Sequence, residues 1–370
     1  MLARSLAQAQ VDVDLRRLNR DQPLLRRKWS KMAASPFAFL RGASAAWAGM
    51  LRAHPHLLEG LPGQGPLVGD LHLENFGTFR GAKGFTFHCN DFDETFVGPW
   101  AWDVLRLLTS TLLARPELGV SGVAALELCD AVLDGYATAQ GRGRMPRPPA
   151  VEALVQVARA TSTAKLMNKR VLGERLVRDE KTPPAPGSAR RKVAATLLDW
   201  ATQVHSRNST VADVTRRIAG TGSLGVTRLL VLAQDPEEET LELVEVKEVR
   251  GVAFKRASAE LLLATMRALP DPPPRVIASR YDGLPVVVRP LVAGEEKLAI
   301  ADFPRDALPG LARYLGFLTG ELHCRAAARH VRWTTKQRSE AVSRAAQLAG
   351  LHEQAFVEFC VRVRERNAKT

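Results

Sequence analysis

The chain has 370 residues, 46% of them hydrophobic, and a net charge of +13 from 52 basic against 39 acidic side chains. That length suits two lobes, or one core with helical additions. No run of eighteen apolar residues offers a membrane span, and the opening "MLARSLAQAQVDVDLRRLNR" lacks the apolar block of a secretory signal, so the expectation is a cytoplasmic protein without a membrane partner.

Cys89, Cys129, Cys324 and Cys360 are far apart with no C-x-x-C pair, which argues against a zinc site or a disulfide framework. The basic excess favours polyanionic company such as nucleotides, nucleic acid or an acidic surface. The arginines, however, are spread along helical stretches such as "LRRLNRDQPLLRRKWSK" and aromatics make up only 6% of the chain. A nucleic-acid role therefore rests on charge alone.

In chain order, residues 1–60 read as an N-terminal helical segment, in which "SPFAFLRGASAAWAGMLRAH" starts with Ser35 and Pro36 at cap and first-turn positions. After the breaker "EGLPGQGP", "LVGDLHLENFGTF" and "GFTFHCNDFDET" read as a hairpin joined through "RGAKG". From Trp100 to about Val211 the pattern is helical, interrupted at "RMPRPPA" and "KTPPAPGS". Residues 61–212 are thus expected to form a loop-bearing helical lobe. Residues 213–305 change character, with β-rich "IAGTGSLGVTRLLVLAQ", "TLELVEVKEV" and "RVIASRYDGLPVVVRPLV" around a helix "SAELLLATMRAL". This predicts a small antiparallel β-lobe. Residues 306–370 are helical again and complete the helical lobe, giving an α+β fold with no internal repeat.

Two constellations carry chemistry. "GTGSLG", with Gly220, Gly222, Ser223 and Gly225, fits G-x-G-x-x-G but is followed by a strand rather than a helix. It therefore reads as a hairpin lying over phosphates and not as a dinucleotide fingerprint. The next strand holds Lys247 in "VEVKEV", the placement of the strand lysine that contacts nucleotide phosphates in kinases. Glu260 on the following helix either pairs with Lys247 or is a solvated helix residue; Glu248 points to the opposite strand face. In "GDLHLEN", Asn75 follows Asp70 by five, the spacing of a kinase loop in which the Asp takes the acceptor's proton and the Asn holds magnesium. "NDFDET" then sets Asp91 where kinases keep a metal-binding Asp, with Asp93 two residues on. Two or three hard oxygens plus phosphates suit magnesium.

On "KMAASPFAFLRGA", "GDLHLENFG", "NDFDETFVGPWAWD", "GTGSLGVTR" and "VKEV", the chain resembles, through most of its length, the bacterial family catalogued as domain of unknown function 2252. Through that family the chain resembles the protein-kinase-like superfamily, as a remote member. The loop is also similar to the H-G-D-x-x-x-x-N of aminoglycoside and choline kinases. The resemblance implies a two-lobed kinase-like fold, ATP and Mg2+ as cofactors, Asp70 as base, Asn75 and Asp91 as metal ligands, and Lys247 on phosphates. It also implies that Asp103 of "GPWAWDVLRLL" braces the loop.

Val68 stands where those kinases carry His, which removes a structural prop. The Gly-rich loop and Lys247 follow the acidic loop by roughly 150 residues, where kinases have them first. A circular permutation follows, with adenine expected near Pro290, Leu291 and Val292 at the hinge. The predicted function is an ATP- and magnesium-dependent phosphotransferase acting on a hydroxyl acceptor that the sequence does not name. Adenylyl transfer with the nucleotide reversed, a non-catalytic nucleotide binder and a metal-dependent phosphohydrolase are the alternatives. The hydrolase would draw on His72 and His88, read here as a loop-bracing residue and a strand residue. Arg289 either faces an acidic substrate or, as the preferred reading, is an ordinary strand-edge residue.

Overall fold

Ser35 and Asp21 start helices as their side chains allow. In the computed structural model, which describes residues 1–18, 21–205, 209–220, 224–252 and 258–368, Asp21 accepts from Leu24 N and Ser35 from Ala38 N. Such caps contribute about 1 kcal/mol each. The first helices are α1 (Leu2–Leu18), α2 (Gln22–Met32), α3 (Pro36–Gly42) and α4 (Ser44–Ala53). The periodicity over 35–54 predicts one helix, but Ala43 leaves helical geometry at φ −113°, ψ 49°. The break lets α3 pack on α2 while α4 packs on α1.

Strand β1 (Gln64–Leu67) pairs antiparallel with β4 (Phe96–Pro99), and between them β2 (Phe76–Gly81) pairs with β3 (Gly84–Cys89). The expected hairpin thus begins only at Phe76. "GDLHLEN" and "NDFDET" lie in the two loops that β1 and β4 bring side by side. The helical run follows as α5 (Ala101–Leu113), α6 (Arg115–Leu118), α7 (Gly122–Gln140), α8 (Pro149–Ala160) and α9 (Thr163–Arg170). A short hairpin of β5 (Val171–Leu172) and β6 (Arg175–Leu176) then leads to α10 (Ala189–His205).

The small lobe contains β7 (Thr210–Arg216), β8 (Arg228–Gln234), β9 (Leu241–Glu248), α11 (Ala259–Arg267), β10 (Ile277–Tyr281) and β11 (Leu284–Pro290). Its antiparallel sheet has the order β10-β11-β9-β8-β7. One face, including Val231, Val244, Val246, Val286 and Val288, is sealed by Val193, Leu197 and Trp200 of α10. Helix α10 therefore packs with the sheet. The division drawn at 212/213 falls inside β7, because composition marks where strands begin but not which helix covers them. Alternation along the strands turns Arg228, Glu245, Lys247 and Arg289 to the other face, toward the helical lobe.

A linker of residues 291–307 returns to α12 (Leu308–Ala326) and α13 (Thr335–Asn367). The buried α5 packs between α7 and α13, and α12 packs on α7. The fold is α+β. Among the described residues no helix is long and apolar enough to cross a membrane, and the four cysteines are free thiols, three of them buried.

Candidate functional site

The loop of residues 68–75 is held by one helix face. Trp102 Nε1 donates to Gly69 O (2.8 Å), Asp103 accepts from Val68 N (2.7 Å) and Gly69 N (2.9 Å), and Ser110 Oγ accepts from Leu73 N (3.1 Å). Arg106 pairs with the Asp70 carboxylate. Positions 102, 106 and 110 recur every four residues with 103 beside them, so α5 presents all four groups to the same loop.

Gly69 has φ +87°, and a Cβ there would collide with the backbone carbonyl of Glu94 in the neighbouring loop. Gly69→Ala is expected to destabilise the fold by about 2 kcal/mol or more, since strain and collision act together. Urea denaturation compared with Gly84→Ala, where φ is also positive but the space is open, separates the collision from the backbone term.

Asp103 is itself anchored. His323 of α12, fully buried, has Nε2 3.2 Å from Asp103 Oδ2 and Nδ1 3.0 Å from the Tyr136 hydroxyl, and its ring stacks on Trp100. This brace comes from 220 residues further along the chain than Asp103 itself. Asp70 sits above this brace. Burial pushes its carboxyl up to about 7, although the adjacent Arg106 guanidinium pulls the other way.

Across from Asp70, Asn75 and Asp91 converge on one cation. Lys297 Nζ donates to Asn75 Oδ1 at 2.9 Å and to Asp91 Oδ2 at 2.7 Å. Lys247 Nζ lies 3.2 Å from Asp91 Oδ1 and 2.6 Å from Asp93 Oδ2. Burial opposes ionisation of Asp91, but Lys247 and Lys297 outweigh it and hold its carboxyl well below the usual range. Asp93 is raised, by burial and then by Asp91, so of the two it is the one that keeps a proton more readily. Two oxygens that already share an ammonium fit a magnesium ion, which takes a few carboxylate or amide oxygens and completes its shell with water and phosphate. Among the described residues no group of three or more His, Cys, Asp and Glu side chains forms a metal cage. His72 Nδ1 instead accepts from Glu74 N, and His88 Nδ1 from Cys89 N.

The sheet's inward face roofs a cavity of about 580 Å³ lined by Lys247, Asp91, Gly220, Leu291, Val292 and Lys297, among others. Gly222 and Ser223 lie outside the described residues; Gly225, with φ +87°, rests on Leu18 of α1. Pro290 lines the adjoining cavity, and Leu291 N donates to Leu243 O. Glu260 is not brought to Lys247. It is exposed in the first turn of α11 and accepts from the Ser258 hydroxyl, while Lys247 lies on Asp91 and Asp93.

Several residues of this arrangement escape a reading of the sequence. Lys297 sits in a linker with no motif, and reaches the site because the linker runs along β2: Thr78 N donates to Glu296 O and Leu298 N to Phe76 O. Gly77 permits this, since a Cβ would meet the Glu296 carbonyl. Arg250 pairs with Glu94 at 3.2 Å, and its N–H and that of Gly251 donate to Asp93 O. Arg289 is not a simple strand-edge residue; it binds the buried Glu245 and Glu295 and lines the cavity. Helical spacing from Asp103 could have found Arg106 and Ser110; nothing local points to His323 or Lys297.

No curated protein and no solved structure matches the chain. The family described as uncharacterized protein conserved in bacteria (DUF2252) matches residues 20–182 and 146–369, and the chain belongs to that family.

Proposed function

We propose that the protein is a magnesium-dependent transferase of kinase-like, circularly permuted architecture that moves a phosphorus group from ATP to a hydroxyl acceptor. The observation that carries this reading is the convergence of Asn75, Asp91, Asp93 and Lys247, drawn from two loops and a distant strand, with Asn75 Nδ2 donating to the backbone carbonyl of Asp70 beside them. The small lobe supports it: a Gly-rich hairpin, a strand with the lysine, a helix and two further strands occur in kinase order. The helix α12 supports the permutation, because it comes after the linker in the chain yet packs on β1 and holds Asp103.

In this reading Asp70 takes the acceptor's proton, Lys247 holds phosphate oxygens, and α5 fixes the loop so that Asp70 does not reorient. Asn75, Asp91 and Asp93 would hold magnesium, which when bound neutralises charge building on the phosphates. Lys297 and Lys247 supply part of that neutralisation from the protein itself. With the nucleotide oriented as in protein kinases, the γ-phosphoryl group moves. Adenylyl transfer uses the same residues with the nucleotide reversed, and the charged cavity roof favours it. Calorimetry with ATP, with and without magnesium, tests the common core: binding that requires magnesium is expected, and no binding in either condition would make the cleft structural.

A further inference from the structure

The part of the cavity roof between Lys247 and the linker is ionic. Along β9, Glu245 and Lys247 share the inward face, with Arg228 of β8 opposite Lys247 and Arg289 of β11 opposite Glu245. Glu245 is fully buried. It accepts from Arg228 Nε at 2.6 Å, from Arg217 Nη1 at 2.5 Å, and from Arg289 Nε and Nη2 at 3.3 Å each. Burial alone would raise the Glu245 carboxyl, but the three guanidiniums outweigh it and keep it well below the carboxylate range. Glu245 and Glu295, the latter accepting from Arg289 Nη1 at 2.7 Å, offset two of the three guanidiniums and leave one positive charge over, to which Lys165, Lys169 and Arg170 of α9, lining the same cavity, add.

A purine is bound best between apolar faces. Guanidinium forks match pairs of phosphate oxygens instead. Glu245 is two residues from Lys247 on the strand, about 7 Å, a span that a short polyphosphate chain covers. Arg217 reaches Glu245 through one terminal nitrogen and Arg228 through Nε, so each fork has further N–H groups for a ligand in the cavity that both line.

We infer that the cluster of Arg217, Arg228 and Arg289 around Glu245 seats the terminal phosphates of the donor, so that a nucleoside triphosphate lies tail inward with its base toward the opening. This rests on the transferase reading above and decides which phosphorus stands beside Asp70 and the metal ligands. That phosphorus is the α one. The acceptor oxygen bonds to it, the bond from it to the bridging oxygen of the β-phosphate breaks, pyrophosphate leaves with the electron pair, and the hydroxyl proton passes to Asp70. A nucleotidyl group is transferred.

The test is competition calorimetry on the wild-type chain in magnesium with ATP, GTP, AMP and inorganic tripolyphosphate. Tripolyphosphate is expected to displace ATP with an affinity within about tenfold of ATP's own, GTP to bind within about threefold of ATP, and AMP to bind about a hundredfold more weakly. Arg228→Ala should weaken ATP and tripolyphosphate together by about tenfold; Arg228→Lys, which keeps a charge on Glu245, should fold and show the same joint loss to a smaller degree. If AMP competes as well as ATP does while tripolyphosphate fails, the base is the inner end and the seat is overturned. If neither ATP nor tripolyphosphate binds, the transferase reading fails as well. In turnover, pyrophosphate release supports the inference, and ADP with a labelled γ-phosphoryl product overturns it.

Discussion

Asp91→Asn and Lys247→Ala should each weaken magnesium-dependent ATP binding by on the order of a hundredfold, the loss expected when one partner of a desolvated charge pair is removed. Asp91 is central in two ways. One carboxylate oxygen faces Lys247 and the other faces Lys297, so a single side chain aligns the cations of the sheet and of the linker. The amide in Asp91→Asn keeps the shape and removes the charge, so Lys297 loses its carboxylate partner, Lys247 keeps only Asp93, and a metal held there would lose a charged ligand. Lys247→Ala acts from the other side. It leaves Asp91 paired with Lys297 but frees Asp93, which has Lys247 at 2.6 Å. Calorimetry gives the affinities, and thermal unfolding provides a second readout: a ligand at about 100 times its dissociation constant stabilises the native state by about 2.7 kcal/mol, and one at its dissociation constant by only about 0.4 kcal/mol, so magnesium-ATP should raise the wild-type midpoint far more than that of either variant. Wild-type affinity in either variant would mean that the carboxylate–lysine cluster is a structural ion network.

Short-range patterns carried much of this site. Asp70, Asn75 and Asp91 are legible because loops and hairpins impose local spacings, and Lys247 because a strand of alternating valines fixes which face a lysine takes. The α+β character and the small antiparallel sheet follow from the same signals. What stayed hidden depends on contacts between distant segments. His323 meets Asp103 only after α12 has packed on α7, and Lys297 meets Asn75 only because the linker runs along β2. Glu245 is the instructive case: its identity next to Lys247 was visible, but its meaning needed Arg217 and Arg289, which three strands and a loop bring to it. Helix α10 shows the limit for lobes, since its apolar stripe suits any flat partner and only the structure shows that the partner is the sheet.

Asp70→Asn should lower group transfer by about 10²- to 10⁴-fold, the usual contribution of a general base, while magnesium-ATP affinity stays within a few-fold, because in the proposed mechanism Asp70 serves the acceptor hydroxyl rather than the phosphate chain. The acid limb of the wild-type profile follows from the same side chain. With its carboxyl raised to about 7 by burial, the base is mostly protonated below that pH, and kcat/KM should fall about tenfold per pH unit there. Stability runs in the opposite direction. The folded chain keeps this proton up to about 7 and the unfolded chain releases it near 3.8, so the contribution is complete below pH 3.8 and is lost as the pH rises through 7. Urea midpoints for wild type and Asp70→Asn should therefore diverge: the variant, with no proton to lose at this position, should decline less between pH 4 and 7. Arg106 makes the comparison fair, since the asparagine oxygen can still accept from the guanidinium that pairs with Asp70. A variant that keeps transfer activity would remove Asp70 from the chemistry, whereas one that loses activity and flattens the stability profile ties both effects to a single buried carboxyl.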